Sequence, residues 1–268
     1  MRDFIVWLLL NGGLLIFIIV LIGWIEHRLP LGTQKLRRLV NKGTVRANGE
    51  LPCGANLLAA AELQSTLLEA DLSVPLLTAL LYRWKQDGAI ELMEAPKKEL
   101  QSFGAAVQPQ INFLTEPPFS EPAERLLWQT LSGWAENDGT LQQNEAYECA
   151  RRAAGEFSDR LEHLKRAGRH SLRQMGVSHP EEKKGGFLFS GGKREIYSPK
   201  GVRFGQGLLA YRKFCAASHD IQGEQAFFAI LVGEEERLAD LETVCRARIL
   251  AQACVDGAKI GVRAQTVK

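Results

Sequence analysis

The sequence predicts an α+β, mainly α-helical fold: one N-terminal transmembrane helix followed by tandem winged-helix-like modules and a helical C-terminus. An uncharged apolar run near the N-terminus predicts the membrane helix. The order helix, helix, short strand, polar loop, short strand then occurs twice, which is the winged-helix pattern. The 268 residues suffice for one large or two small soluble domains after an anchor.

Residues 4–25 predict the transmembrane helix. They carry no charge, and as a helix they are long enough to cross the roughly 30 Å apolar core of a bilayer. Trp7 and Trp24 lie near the two ends, where interfacial aromatic residues are expected. A cleaved signal peptide is the competing interpretation, but residues 1–3 do not form a basic leader. Residues 1–3 are therefore predicted to be a short extracytoplasmic N-terminus.

Flanking cations predict the orientation of this helix. Only Arg2 precedes it, whereas several Lys and Arg residues follow it. The positive flank stays in the cytoplasm, which predicts a single-pass protein of the inner (cytoplasmic) membrane with its N-terminus outside. Residues 26–53 form a basic juxtamembrane connector. Its cations predicted to contact lipid headgroups are Arg28, Lys35, Arg37, Arg38 and Lys42.

Residues 54–116 predict the first winged-helix-like module. The Ala- and Leu-rich residues 55–70 favour one helix, and Ser73 can cap the next. Gly88 supplies a stop for that second helix. A short strand, a polar stretch and a possible return strand follow, so the order is two helices and a hairpin with a loose loop.

Residues 117–200 predict a second module of the same kind. Pro122 opens its first helix, residues 142–175 form a long helical stretch, and Ser-Gly-Gly-Lys at 190–193 favours a hairpin turn. The rest of the chain is predicted to form C-terminal helices over residues 201–255 and a flexible tail over residues 256–268.

Three segments resemble a known family. PLLTALLYRWKQDGAIEL, EIYSPKGVRFGQGLLAYRKFC and GEQAFFAILVGEEERLADL resemble, in that order, the cytoplasmic region of the YciQ-like family of predicted bacterial membrane proteins. The resemblance implies a membrane protein of unknown function and supplies no catalytic residues. Family members usually carry an extracytoplasmic β-rich domain and more than one membrane segment, and this sequence shows neither.

No motif in the sequence predicts an enzyme. The five histidines are scattered, and the five cysteines are widely spaced without a C-x-x-C pair, which favours reduced thiols. GFLFSGGK differs from a phosphate-binding loop because its Lys stands one position late and Arg follows it. We therefore predict no catalytic residue, no cofactor and no metal.

Basic residues of the second module form the candidate site. Arg166, Arg169 and Arg173 share one helix face, and Lys193 and Arg194 lie in the second wing. This face could meet nucleic acid or a protein partner. The favoured function is a membrane-tethered cytoplasmic protein-interaction or scaffold module, with the lipid bilayer and a protein at the membrane as partners. A membrane-bound DNA-binding regulator is the alternative, and an uncharacterised enzyme comes third.

Overall fold

The structure is a computed structural model, and it describes residues 32–94, 108–119, 121–135, 138–182 and 193–266. The helices in these ranges are α1 (Thr33–Lys42), α2 (Leu57–Leu68), α3 (Ser73–Gln86), α4 (Pro122–Trp134), α5 (Gln143–Arg152), α6 (Ala154–Gln174), α7 (Pro199–Ala217), α8 (Glu224–Val232) and α9 (Leu241–Thr266). The strands are β1 (Ile90–Glu94), β2 (Pro109–Phe113), β3 (Thr140–Gln142), β4 (Ser178–Glu182) and β5 (Lys193–Tyr197). Short 3₁₀ turns span Pro52–Ala55 and Glu235–Arg237.

The fold class with a transmembrane helix, and the inner-membrane localisation based on it, are contradicted. Across the described ranges, every helix is too short or too polar to cross a bilayer. The segment on which the prediction rested, residues 4–25, lies outside the described residues, as do residues 1–3 and Arg28. What the structure describes is a mainly helical chain with small antiparallel sheets.

The prediction of two tandem winged-helix-like modules is also wrong, because the second half contributes a strand to the sheet of the first half. β1 and β2 form an antiparallel hairpin in which Ile90 faces Phe113. β3 lies in the second half of the chain but pairs with β2, with Ile111 opposite Leu141. β4 and β5 form a separate two-stranded sheet. A third strand from the second half therefore completes the sheet of the first.

The two halves nevertheless repeat the same helix-to-hairpin junction. A glycine with positive φ follows the helix before the hairpin in each half: Gly88 (φ 71°) after α3 and Gly176 (φ 67°) after α6. The next residue, Ala89 or Val177, donates its N–H back to the helix at 2.9 Å. Its carbonyl accepts from the residue after the return strand, at 2.9 Å and 3.0 Å. Glycine adopts this left-handed conformation without steric cost, and the same backbone hydrogen bonds join helix and hairpin in both halves.

Helix α3 lies at the centre of the core. Leu77, Leu80 and Trp84 are at most 1% exposed, and α3 packs between α8 and α9. A second contact ties α3 to α4, because Arg83 forms an ion pair with the buried Glu124. Burial raises the pKa of the Glu124 carboxyl, and the neighbouring guanidinium opposes that shift. The second helix of the first half is thus enclosed by protein on several sides.

The tail predicted beyond residue 255 is helical as far as Thr266. Two glycines explain why this end packs tightly on α5. A Cβ at Gly257 would lie 2.3 Å from the Tyr147 carbonyl oxygen, and one at Gly261 would lie 2.2 Å from that of Arg151. Because neither residue has a side chain, the backbones of α9 and α5 approach each other directly. The buried residues of this segment are Gly257, Ala258 and Gly261, which are too small to give a strong apolar periodicity in the sequence.

Replacing Gly261 by Ala is expected to destabilise the protein by about 1–3 kcal/mol, because the new methyl group overlaps the α5 backbone. The midpoint of urea unfolding followed by circular dichroism measures the change. The matched control is Gly207→Ala in α7, where a Cβ meets no atom within 4 Å. That change should stabilise the protein by roughly 0.5–1 kcal/mol, since Ala favours a helix over Gly. Equal midpoints for the two variants would contradict the packing of α9.

Thiol reactivity tests the same helix. Cys245 is exposed, whereas Cys53, Cys215 and Cys254 are buried. Burial raises the thiol pKa to about 12 for Cys53, about 11 for Cys215 and about 12 for Cys254, so the reactive thiolate is scarce at those three sites. Alkylation at pH 8 with peptide mass mapping should modify Cys245 first and these three only in denaturant. Prompt modification of Cys254 in the folded protein would be the contrary result.

Candidate functional site

The predicted arginine face lies on α6, but acidic side chains occupy it. Arg173 forms an ion pair with Glu195 of β5, and Arg169 forms one with Glu162. The Nε atom of Arg169 also lies 3.3 Å from a carboxylate oxygen of Glu62 in α2. Each of these carboxylates offsets positive charge that a phosphate would otherwise meet.

Arg166 is the most exposed of the three, at 63% of its side chain, and its Nε lies 3.8 Å from a Glu162 oxygen. Lys193 and Arg194 stand in β5, opposite Glu182 and Glu181 of β4 in the strand register. Carboxylates of α2 and β5 therefore lie beside two of the three predicted arginines, Arg169 and Arg173. The sequence could show the i, i+3, i+7 spacing of the arginines, but only the fold shows that α2 and β5 bring carboxylates to them.

The cations predicted to meet lipid headgroups lie on α1, apart from Arg28. Leu36 and Val40 of this helix are 0% and 1% exposed, and α1 packs against α7 and α2. Arg37 donates from Nε to the Thr66 carbonyl at 2.7 Å and forms an ion pair with Glu69. Lys35 is half-buried, while Arg38 and Lys42 remain exposed. The apolar side of α1 is thus used for packing inside the protein.

A groove lies between α5 and α9. Its volume is about 680 Å³, and Tyr147, Ile249 and Ala253 supply its apolar surface. Ile249 is 37% exposed, unusual for a large apolar side chain within a helix pair. The groove opens from the close contact at Gly257 towards the N-terminal ends of both helices.

Side-chain amides line the rim of this groove. They are Gln108, Gln143, Asn144 and Gln252. Each amide can donate and accept hydrogen bonds, as a backbone peptide group does. The N-terminus of α5 is held beneath them by a capping box, in which Glu145 accepts from the Gln142 N–H at 2.8 Å. The helix end that carries two of these amides is therefore well anchored.

A second depression of about 230 Å³ adjoins the groove along α5. The two share Asn144 and Glu148, which stand one helical turn apart. Trp134 contributes the aromatic surface of the second depression, as Tyr147 does in the first. Two adjoining cavities, each with one aromatic ring, thus follow a single helix.

The described residues contain no group of three or more His, Cys, Asp or Glu side chains placed to hold a metal ion. No protein-family model, no curated protein and no solved structure matches this chain. The resemblance to the YciQ-like family therefore stays a prediction. The groove was not predicted from the sequence, because its lining residues come from three separate segments and form no motif.

Replacing Arg169 by Gln should destabilise the protein by about 1–3 kcal/mol, because it leaves the half-buried Glu62 without its cation. Burial raises the pKa of Glu62 in the folded state, and Arg169 opposes that rise. A carboxyl whose pKa is higher in the folded than in the unfolded protein stabilises the folded state while it is protonated. That stabilisation is lost as pH rises from the unfolded pKa, near 4.5, through the folded pKa. The deficit of the variant should therefore be largest at neutral pH and shrink towards pH 4.5.

Urea unfolding of both proteins at pH 4.5 and pH 7 measures this difference. Arg166→Gln is the control, since its exposed pair at 3.8 Å should contribute less than about 0.5 kcal/mol. A deficit that stays the same at both pH values would show that Glu62 is not the group left unpaired.

Proposed function

We propose that this chain is a protein-interaction module that binds an extended peptide segment of a partner protein in the groove between α5 and α9. The observation that carries the proposal is the pair of adjoining cavities along α5, each with an aromatic ring. Four side-chain amides line the larger cavity, and one of them, Asn144, also lines the smaller. Apolar pockets with a few polar groups are how proteins orient small ligands and peptide side chains.

An extended peptide fits this arrangement better than a helix or a nucleic acid. An extended backbone leaves its N–H and C=O groups unpaired, and the rim amides can satisfy both kinds of group. Side chains two residues apart on such a peptide point the same way, so two of them can enter neighbouring pockets. Tyr147 and Trp134 then supply rigid apolar surface, which aromatic residues commonly provide at interfaces.

The charges of the groove favour a peptide with one basic residue. Glu148 is paired with Arg151 at 2.7 Å, and Arg248 forms an ion pair with Glu235, so these charges are compensated. Asp256 has only a neutral amide donor from Gln252, at 2.8 Å, in the described part of the chain. Its carboxylate is the charge left for a ligand cation.

A DNA-binding role has less support. In a winged helix the second helix of the unit enters the major groove, yet here α3 is buried between α8 and α9. The corresponding helix of the second half, α6, carries the arginines that are paired with Glu62, Glu162 and Glu195. Neither helix offers a row of uncompensated cations.

The proposal is tested by selecting peptides on the full chain from a random display library and measuring the affinity of enriched peptides by calorimetry. We expect peptides with two apolar residues and one basic residue, binding with micromolar affinity. Ile249→Glu should weaken that binding at least tenfold, because it places a charge on the groove floor.

Ile260→Glu is the matched control. Ile260 is also exposed on α9, at 45%, but does not line the groove, so this variant should bind as the native chain does. Failure to enrich any peptide, or equal affinity of the Ile249 and Ile260 variants, would remove this groove as the interaction site.

A further inference from the structure

We propose that a second cleft, between α6 and the C-terminal half of α9, binds a small organic anion: a carboxylate attached to an apolar body. The cleft has a volume of about 380 Å³, at the lower end of the range typical of ligand pockets. It is separate from the peptide groove, because the two share no lining residue.

The floor of this cleft is aliphatic. Leu161 of α6 and Val255, Ala258 and Val262 of α9 form it, and Val262 is 38% exposed. Three large or branched apolar side chains in a concave site leave a surface that water solvates poorly. The apolar part of a ligand would replace that water.

Cations stand along the edge of the same cleft. Lys165, Lys259 and Arg263 line it, and Asp71 is the acidic residue placed among them. Lys165 Nζ lies 3.4 Å from one Asp71 oxygen, and Lys259 Nζ lies 3.7 Å from the other. The single carboxylate of Asp71 therefore pairs with two ammonium groups, each at a long distance.

Arg263 makes no ion pair with any residue that the structure describes. The other acid of the cleft, Glu162, already forms ion pairs with Arg166 and Arg169 of α6. The edge thus keeps an excess of positive charge over an aliphatic floor. A carboxylate supplied by a ligand would pair with these cations and offset the excess positive charge.

Asp71 occupies part of the position that the ligand carboxylate would take. It accepts from the Ser73 hydroxyl at 2.5 Å and from the Ser73 N–H at 3.1 Å, which holds it at the start of α3. An Asn side chain can still accept these hydrogen bonds but carries no charge. Asp71→Asn consequently removes the competing anion and keeps both hydrogen bonds from Ser73.

Calorimetric titration of the full chain with hexanoate, octanoate and decanoate tests the proposal. Affinity should rise about fourfold per added methylene, as expected for burial of an alkyl chain, until the floor is covered. Asp71→Asn should tighten octanoate binding several-fold, whereas Lys259→Gln and Arg263→Gln should each weaken it at least fivefold. Octanol, which has the chain without the charge, should bind at least tenfold more weakly than octanoate.

Arg203→Gln, an exposed cation of α7 that does not line the cleft, is the control and should bind octanoate as the native chain does. Two results would overturn the proposal: absence of octanoate binding to the native chain, or binding that the Lys259 and Arg263 variants leave unchanged. Urea unfolding of each variant separates loss of the site from loss of folding. The peptide groove is untouched by these changes, so the two proposals fail or hold separately.

Discussion

The close approach of α5 and α9 is the contact on which much of the structure depends. Gly257 and Gly261 bring the α9 backbone against the carbonyl oxygens of Tyr147 and Arg151. At such a short separation, many atoms of both helices gain dispersion contacts at once. The amide-lined groove lies beside this contact and is lined by residues of both helices. The groove and the anion cleft both use α9 as a wall, so both follow from the position of this helix.

The same reliance on small residues occurs between α2 and α6. A Cβ at Gly168 would lie 2.3 Å from the Leu58 carbonyl oxygen, so these helices also meet backbone to backbone. This contact joins the two repeated halves, and the pairing of β3 with β2 joins them a second time. Each half therefore lacks part of its own core or sheet without the other. A chain built this way folds as one unit, although its sequence repeats one local pattern twice.

Ion pairs also join distant segments of the chain. Glu62 of α2 faces Arg169 of α6, and Asp71 before α3 faces Lys165 of α6 and Lys259 of α9. Long-range pairs of this kind reduce the field that a nucleic acid would meet. Where the compensation is incomplete, at Asp256 in the groove and at Arg263 in the cleft, the surface retains charge for ligands.

The sequence by itself determined much of the local structure in the described ranges. The Ala- and Leu-rich residues 55–70 predicted α2, and Gly88 predicted where α3 ends, because helix propensity and a left-handed cap are local properties. Tertiary structure decided the partners. It placed β3 on β2, paired Arg169 with Glu62 and packed α9 beyond residue 255, because hydrogen bonds and contacts between residues far apart leave no periodic trace in the chain. Both proposed sites belong to this second class, since their lining residues meet only when separate helices pack.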